Sequence, residues 1–136
     1  RESGSDPLAS VARDHGMRIM EGCAVAEAVL DTVSEPAVLA GVQARAEKIR
    51  ARLDAIGERY GVFGPTRGLG LLIGAPMSEA WKGRAKEIVN AGWKHGVWCL
   101  VAGPDVLRIA PSLIIPEAEL ELGLERLEAA VAELCA

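Results

Sequence analysis

The sequence predicts an α/β (α+β) domain, a small mixed sheet with helices packed on it, in the order α-α-β-β-α-β-β-α. Three observations predict it. Apolar residues recur at intervals of three and four in 37–57 and again in 117–134, the period of a helix with one buried face. Between them, YGVFGPTRGLGLLIGAPM (60–77) is rich in glycine and aliphatic residues and reads as strand–turn–strand. The turn GPD (103–105) separates two short aliphatic runs, VWCLVA and VLRIA, as in a hairpin. Helices laid on a small sheet bury both kinds of apolar face.

Residues 1–20 are the least readable and form an unassigned N-terminal segment. SDPLASVARDHG fits either a short helix, capped by Ser5 and stopped at Gly16, or a remnant of processing. The domain is predicted over 21–136. EGCAVAEAVLDTV (21–33) is Ala-rich, with Val25, Val29 and Val33 at helical spacing. SEP (34–36) restarts a helix with proline in its first turn. That helix carries Val38, Val42, Ala46, Ile49, Leu53 and Ile56 inward and Arg45, Lys48, Arg50 and Arg52 outward, with Gly57 as its expected stop. Ser78 is the expected N-cap of a helix over 79–94, lined by Ala85, Ile88, Val89 and Trp93 and closed by His95-Gly96. VWCLVA (97–102) reads as a short buried strand. Pro116 opens the last helix, with Glu117 and Glu119 in its first turn beside the positive end of the helix dipole. Leu120, Leu124, Leu127, Val131 and Leu134 form its inner stripe.

Composition excludes several functions. The 136 residues are 50% hydrophobic and 25% charged, a globular balance for one domain. A net charge of −4 is a poor basis for gripping nucleic acid. The longest charge-free window, Gly68–Ser78, is far short of the roughly 20 apolar residues a membrane span needs. No signal peptide is visible, and Cys23, Cys99 and Cys135 lack C-x-x-C spacing, so reduced thiols in a cytoplasmic setting are expected. With two histidines, His15 and His95, no metal site is expected. The chain opens on Arg1, which suggests a processed or partial product.

Familiar motifs fail. GLGLLIG (68–74) spaces its third glycine one position late and leads into a strand, unlike the dinucleotide fingerprint. There is no phosphate-cradling G-x-x-x-x-G-K-[ST] and no G-x-S-x-G elbow. Trp81, Trp93 and Trp98 are expected to pack or to form an interface patch.

One residue invites chemistry. GPDVLRIAPSLIIP (103–116) holds a single cation, Arg108. In a strand, Val106, Arg108 and Ala110 share one face and Leu107 and Ile109 the other. Small Ala110 and Pro111 leave room for a guanidinium, whose planar fork matches a carboxylate through two parallel hydrogen bonds. Two readings stand: a surface arginine on an edge strand, or an anion grip.

CAVAEAVLDTV (23–33), TRGLGLLIG (66–74) and the run from AKEIVNAGWKHG through LRIAPSLIIP to the end of the last helix (85–134) resemble the C-terminal small domain of class III pyridoxal-phosphate aminotransferases, most of all the acetylornithine/succinylornithine group. The resemblance implies the small-domain architecture of fold-type I enzymes. It implies amino transfer between an acylated ornithine and 2-oxoglutarate, in arginine metabolism. It also implies that Arg108, in the family's LR-x-x-P-x-L stretch with Pro111 and Leu113, is the substrate-binding residue that takes the α-carboxylate; Ser112 departs from a proline frequent there. The glycines of RGLG (67–70) are expected to serve a tight turn.

In that family the cofactor is a Schiff base on a lysine of the large domain, which also supplies the aspartate facing the pyridine nitrogen. Lys48, Lys82, Lys86 and Lys94 all fall on predicted polar helix faces, without the lowered pKa a Schiff-base lysine needs. HGMRIMEG (15–22) stands where the family has a Gly-Gly-Asn-Pro segment, so the phosphate contact does not carry over. No catalytic or cofactor-binding residue is assigned. The chain alone is expected not to hold pyridoxal phosphate and to be inactive. The competing reading is a non-enzymatic α/β binding or dimerisation module, a homo-oligomer joined through exposed apolar surface with the 21–33 helix as the first candidate. A ferredoxin-like sensing domain fits the two leading helices less well.

Overall fold

The computed structural model describes the backbone of residues 19–136 and the side chains from residue 25 onward. The readings made on residues 1–18, on HGMRIMEG (15–22) and on the Cys23 side chain lie outside the described residues. The chain divides into two compact units, Arg1–Pro36 and Ala37–Ala136.

The first unit contains helix α1, Ile19–Ser34, where the 21–33 pattern predicted one. Near its end the Thr32 hydroxyl donates to the Ala28 carbonyl at 2.9 Å, the back-bonding that lets threonine sit in a helix. Val25, Val29 and Leu30 are exposed along it.

The larger unit is built on α2, Pro36–Tyr60, which starts at proline because the first-turn N–H has no helical partner to lose. Gly57 does not stop this helix. It is buried inside it, where a Cβ would stand 3.0 Å from the Phe63 carbonyl oxygen. Gly57 thus serves close packing, and the stop falls at Gly61, left-handed at φ 67°.

Two strands follow, β1 (Arg67–Leu69) and β2 (Leu72–Pro76), joined by a tight turn. Gly68 (φ 132°) and Gly70 (φ 53°) hold conformations that side chains oppose, so these glycines are structural as expected. The helix expected over 79–94 is broken. A 3₁₀ turn, Glu79–Trp81, is followed by Gly83 at φ 79°, and then by α3, Ala85–Lys94. Ser78 makes no side-chain cap; its hydroxyl donates to the Gly61 carbonyl at 2.6 Å and ties the turn to the end of α2. Lys82 consequently lies in the break between helical turns and not on a helix face.

Strands β3 (Leu100–Val101) and β4 (Val106–Ile109) complete a sheet of order β1-β2-β4-β3. All three pairings are antiparallel, so the sheet is not mixed. The chain leaves β2, crosses through α3, enters the far edge as β3, and turns back as β4 between β3 and β2. The run 97–102 is not a buried strand either: two of its residues pair at the sheet edge, Trp98 and Leu100 are exposed, and Cys99 alone of these three points into the core. Helix α4, Glu117–Cys135, closes the unit, with Leu120, Leu124, Leu127 and Val131 buried.

The core gathers Ile49, Leu53 and Ile56 of α2, Ile88 of α3 and Leu124 and Leu127 of α4 against Ile73, Ala75 and Leu107 of the sheet. Each fully buried aliphatic side chain contributes about 1.5–3 kcal/mol relative to exposure. The polar face of α2 finds partners. Lys48 bridges Glu117 and Glu121, Arg52 and Arg59 share Glu128 at 2.8 and 3.1 Å, and Arg50 donates to the Gly68 carbonyl at 2.8 Å. Within this unit the helices cover one sheet face, and on the opposite face Leu69, Leu72, Leu100 and Arg108 are exposed among the described residues.

Candidate carboxylate-binding site

The alternation read for β4 holds. Leu107 is fully buried, while Arg108 stands exposed on the open face. Strand pairing places Arg108 opposite Gly74 on β2 and opposite Leu100 on β3, and Gly74 is in turn opposite Arg67 on β1. Residues directly opposite in an antiparallel pair project to the same side. One row, Arg67–Gly74–Arg108–Leu100, thus crosses all four strands.

Gly74 clears the middle of that row. A Cβ there would meet a Val106 methyl at 3.1 Å and the Arg67 Cγ at 3.8 Å, which also shows that the Arg67 side chain rises on this face. Leu69, Leu72 and Leu100 are exposed on the same side, so the cations stand among apolar residues.

Arg108 also lines a cavity of about 190 Å³ between the β3–β4 end of the sheet and α4. Its walls include Trp98, Leu100, Pro111 and Leu124, and Arg108 and Glu119 are its two charged residues. The hollow is mostly apolar and residue Arg108 of β4 borders it, while a guanidinium is the side chain whose planar fork best matches a carboxylate.

The other arginines of the described chain are engaged. Arg45 and Arg126 donate to the carbonyls of Leu113 and Gly96, and Arg84 pairs with Glu87 at 2.7 Å and lies over the Trp81 ring. With Arg50, Arg52 and Arg59 bound as above, Arg67 and Arg108 are the two arginines without a hydrogen bond or ion pair among the described residues. Arg108 was legible from the sequence; Arg67 was not singled out. The signal that finds it is strand register, which the hairpin around Gly70 fixes.

The residues present do not fit a Schiff-base cofactor. Lys48 has its pKa raised, first by its hydrogen bonds to Glu117 and Glu121, the opposite of what imine formation at neutral pH requires. Lys82 and Lys94 have side chains 66% and 72% exposed, and Lys86 is exposed as well. None lines the Arg108 cavity. Burial pushes the Cys99 thiol up to about 11, so it is not a nucleophile at neutral pH. Trp81 packs in the core, whereas Trp93 and Trp98 form an exposed edge-to-face pair with centroids 5.0 Å apart. Among the described residues no cluster could hold a metal ion, and no helix is long and apolar enough to cross a membrane.

The described residues thus give an antiparallel sheet backed by helices, with Arg67 and Arg108 exposed on its other face. Residues 20–131 match the family model for aminotransferase class-III, and the chain belongs to that family. It is 53% identical over 113 residues to an acetylornithine aminotransferase of Pseudomonas putida, covering 83% of this chain and 28% of that protein. It is 49% identical over 131 residues to a succinylornithine transaminase/acetylornithine aminotransferase of Pseudomonas aeruginosa, covering 96% of this chain and 29% of that protein. The crystal structure of N-acetylornithine aminotransferase from Stenotrophomonas maltophilia superposes with a TM-score of 0.79 at 39% identity, over 82% of this chain and 30% of that one. The chain thus spans less than a third of the length of these relatives.

Proposed function

We propose that these residues act as the small domain of an acetylornithine/succinylornithine-type aminotransferase, moving an amino group between an acylated ornithine and 2-oxoglutarate in cytoplasmic arginine metabolism. Arg108 is the substrate-binding residue in this reading and receives the α-carboxylate. The observation that carries it is Arg108, exposed on the sheet face opposite the core and without a hydrogen-bond or ion-pair partner among the described residues. The names of the relatives support the substrate class.

The division of labour follows from the lysines. Pyridoxal phosphate supplies the electron sink for amino transfer when a lysine holds it. No described lysine lines the cavity beside Arg108, and Lys48 has its pKa raised by its hydrogen bonds to Glu117 and Glu121. The carboxylate contact therefore belongs to this chain and the cofactor lysine to sequence beyond it. The test is to incubate the chain with pyridoxal phosphate, reduce with borohydride and map the label. Sparse labelling spread over exposed lysines, with no turnover of acetylornithine and 2-oxoglutarate, is the expected result. One stoichiometrically labelled lysine together with turnover contradicts it.

A second reading, association through the open face, is favoured by Leu69 (89% exposed), Leu72 and Leu100 standing together beside the two arginines. In that reading the chain forms a homo-oligomer, and mass in solution at rising concentration decides: a monomer throughout removes it.

A further inference from the structure

We infer that Arg67 and Arg108 form one two-point seat for dicarboxylates, with Gly74 as its floor. The inference rests on the proposed role of Arg108 and adds a second contact to it. Arg67 and Arg108 are two strands apart in a single cross-strand row, so their Cα atoms are separated by roughly 10 Å. An extended arginine reaches well past half of that, so both forks can close on one small anion held between them.

Four observations converge. The intervening residue is glycine, and any side chain there would stand in the space between the forks. Every other arginine of the described chain has a hydrogen-bond or ion-pair partner, and these two lack one among the described residues. Nothing acidic pairs with either of them among the described residues, so the like-charged pair is relieved by an anion from solution. Leu72 and Leu100 are exposed on the same face, and Val106 is half-buried there, giving a short carbon chain an apolar bed. The ligand this selects is a compact dicarboxylate: two carboxylates for two forks, with methylenes between. A monocarboxylate of equal length satisfies Arg108 and leaves Arg67 in water.

The experiment titrates the chain at low ionic strength with glutarate and with pentanoate, following backbone amides and arginine Nε–Hε resonances by NMR. The probes have equal chain length and differ in the second carboxylate. Glutarate is expected to bind about fivefold more tightly, the size of one exposed charge-assisted contact. R67Q is expected to remove that preference and leave pentanoate binding intact, R67K to retain part of it through charge without the fork, and R108Q to weaken both probes. Both side chains are exposed, so the variants keep the native amide spectrum. An unchanged glutarate-to-pentanoate ratio in R67Q, or equal binding of both probes to the unaltered chain, overturns the two-point seat and leaves the Arg108 reading standing. Undiminished pentanoate binding in R108Q sinks the Arg108 reading itself, and the seat with it.

Discussion

Arg108 lies directly opposite Gly74 in the β2–β4 pairing, so the guanidinium rises beside a backbone with no side chain next to it. The space is there because of the glycine. Gly74→Leu places a Cβ 3.1 Å from a Val106 methyl and a bulky group between Arg67 and Arg108. Because a methyl on the open face can yield, the expected outcome is a folded chain with weakened carboxylate binding. Amide spectra and a glutarate titration check the two halves separately.

Gly68 is a different kind of glycine. Its φ of 132° opposes any side chain, and a Cβ would collide with the Leu72 carbonyl oxygen across the hairpin. Gly68→Ala should cost about 2 kcal/mol or more in urea unfolding, with loss of the Arg67–Gly74 register. Since Arg67 depends on that register, glutarate binding should fall more than pentanoate binding.

Arg108 and its neighbour Leu107 should separate function from stability. Leu107 is wholly buried, and Leu107→Ala should destabilise by about 2–5 kcal/mol. Arg108→Gln removes an exposed side chain that has no partner among the described residues, and should change stability by less than about 0.5 kcal/mol while reducing carboxylate binding. Paired denaturation and binding curves check this.

The sequence showed Arg108 but not its surroundings, for a physical reason. Alternation along VLRIA settles which way one side chain points, and helical spacing places Ile49, Leu53, Leu124 and Leu127 in the core. The positions of β3 and β4 within the sheet depend on tertiary pairing, which local pattern does not encode. Arg67 and Gly74 therefore became neighbours of Arg108 only through register. The break at Gly83 was missed because its cause is distant: the Asp105 carboxylate, 22 residues on, accepts from the Gly83 N–H. Gly57 misled for the converse reason, since a glycine expected to end a helix was instead admitting the Phe63 backbone.

The two described thiols should react very differently. Burial raises the Cys99 pKa to about 11 while Cys135 is exposed. In a Cys23→Ser background at pH 8, Cys135 should label rapidly with a thiol reagent and Cys99 only on the timescale of opening. Equally fast labelling of both would show that the β3 edge does not bury Cys99.

The ends of α3 and α4 should show an acid dependence. Glu133 accepts from His95 at 2.7 Å, and this hydrogen bond, followed by the charge of Lys94, holds its carboxyl below the ordinary range. A carboxylate with a depressed folded-state pKa adds stability that is present above its unfolded value and lost as pH falls through the folded value. Lowering the pH from 6 to about 3.5 should therefore reduce the urea midpoint less in Glu133→Gln than in the unaltered chain. An identical reduction in both would remove Glu133 from the account.

The central claim is that Arg108 is a carboxylate anchor. The most direct measurement follows the Arg108 Nε–Hε resonance while 2-oxoglutarate is added. A saturable shift with matching changes at Gly74 and Leu100 amides, and loss of those amide changes in R108Q, is the predicted result. Amide changes of equal size and affinity in R108Q would contradict it.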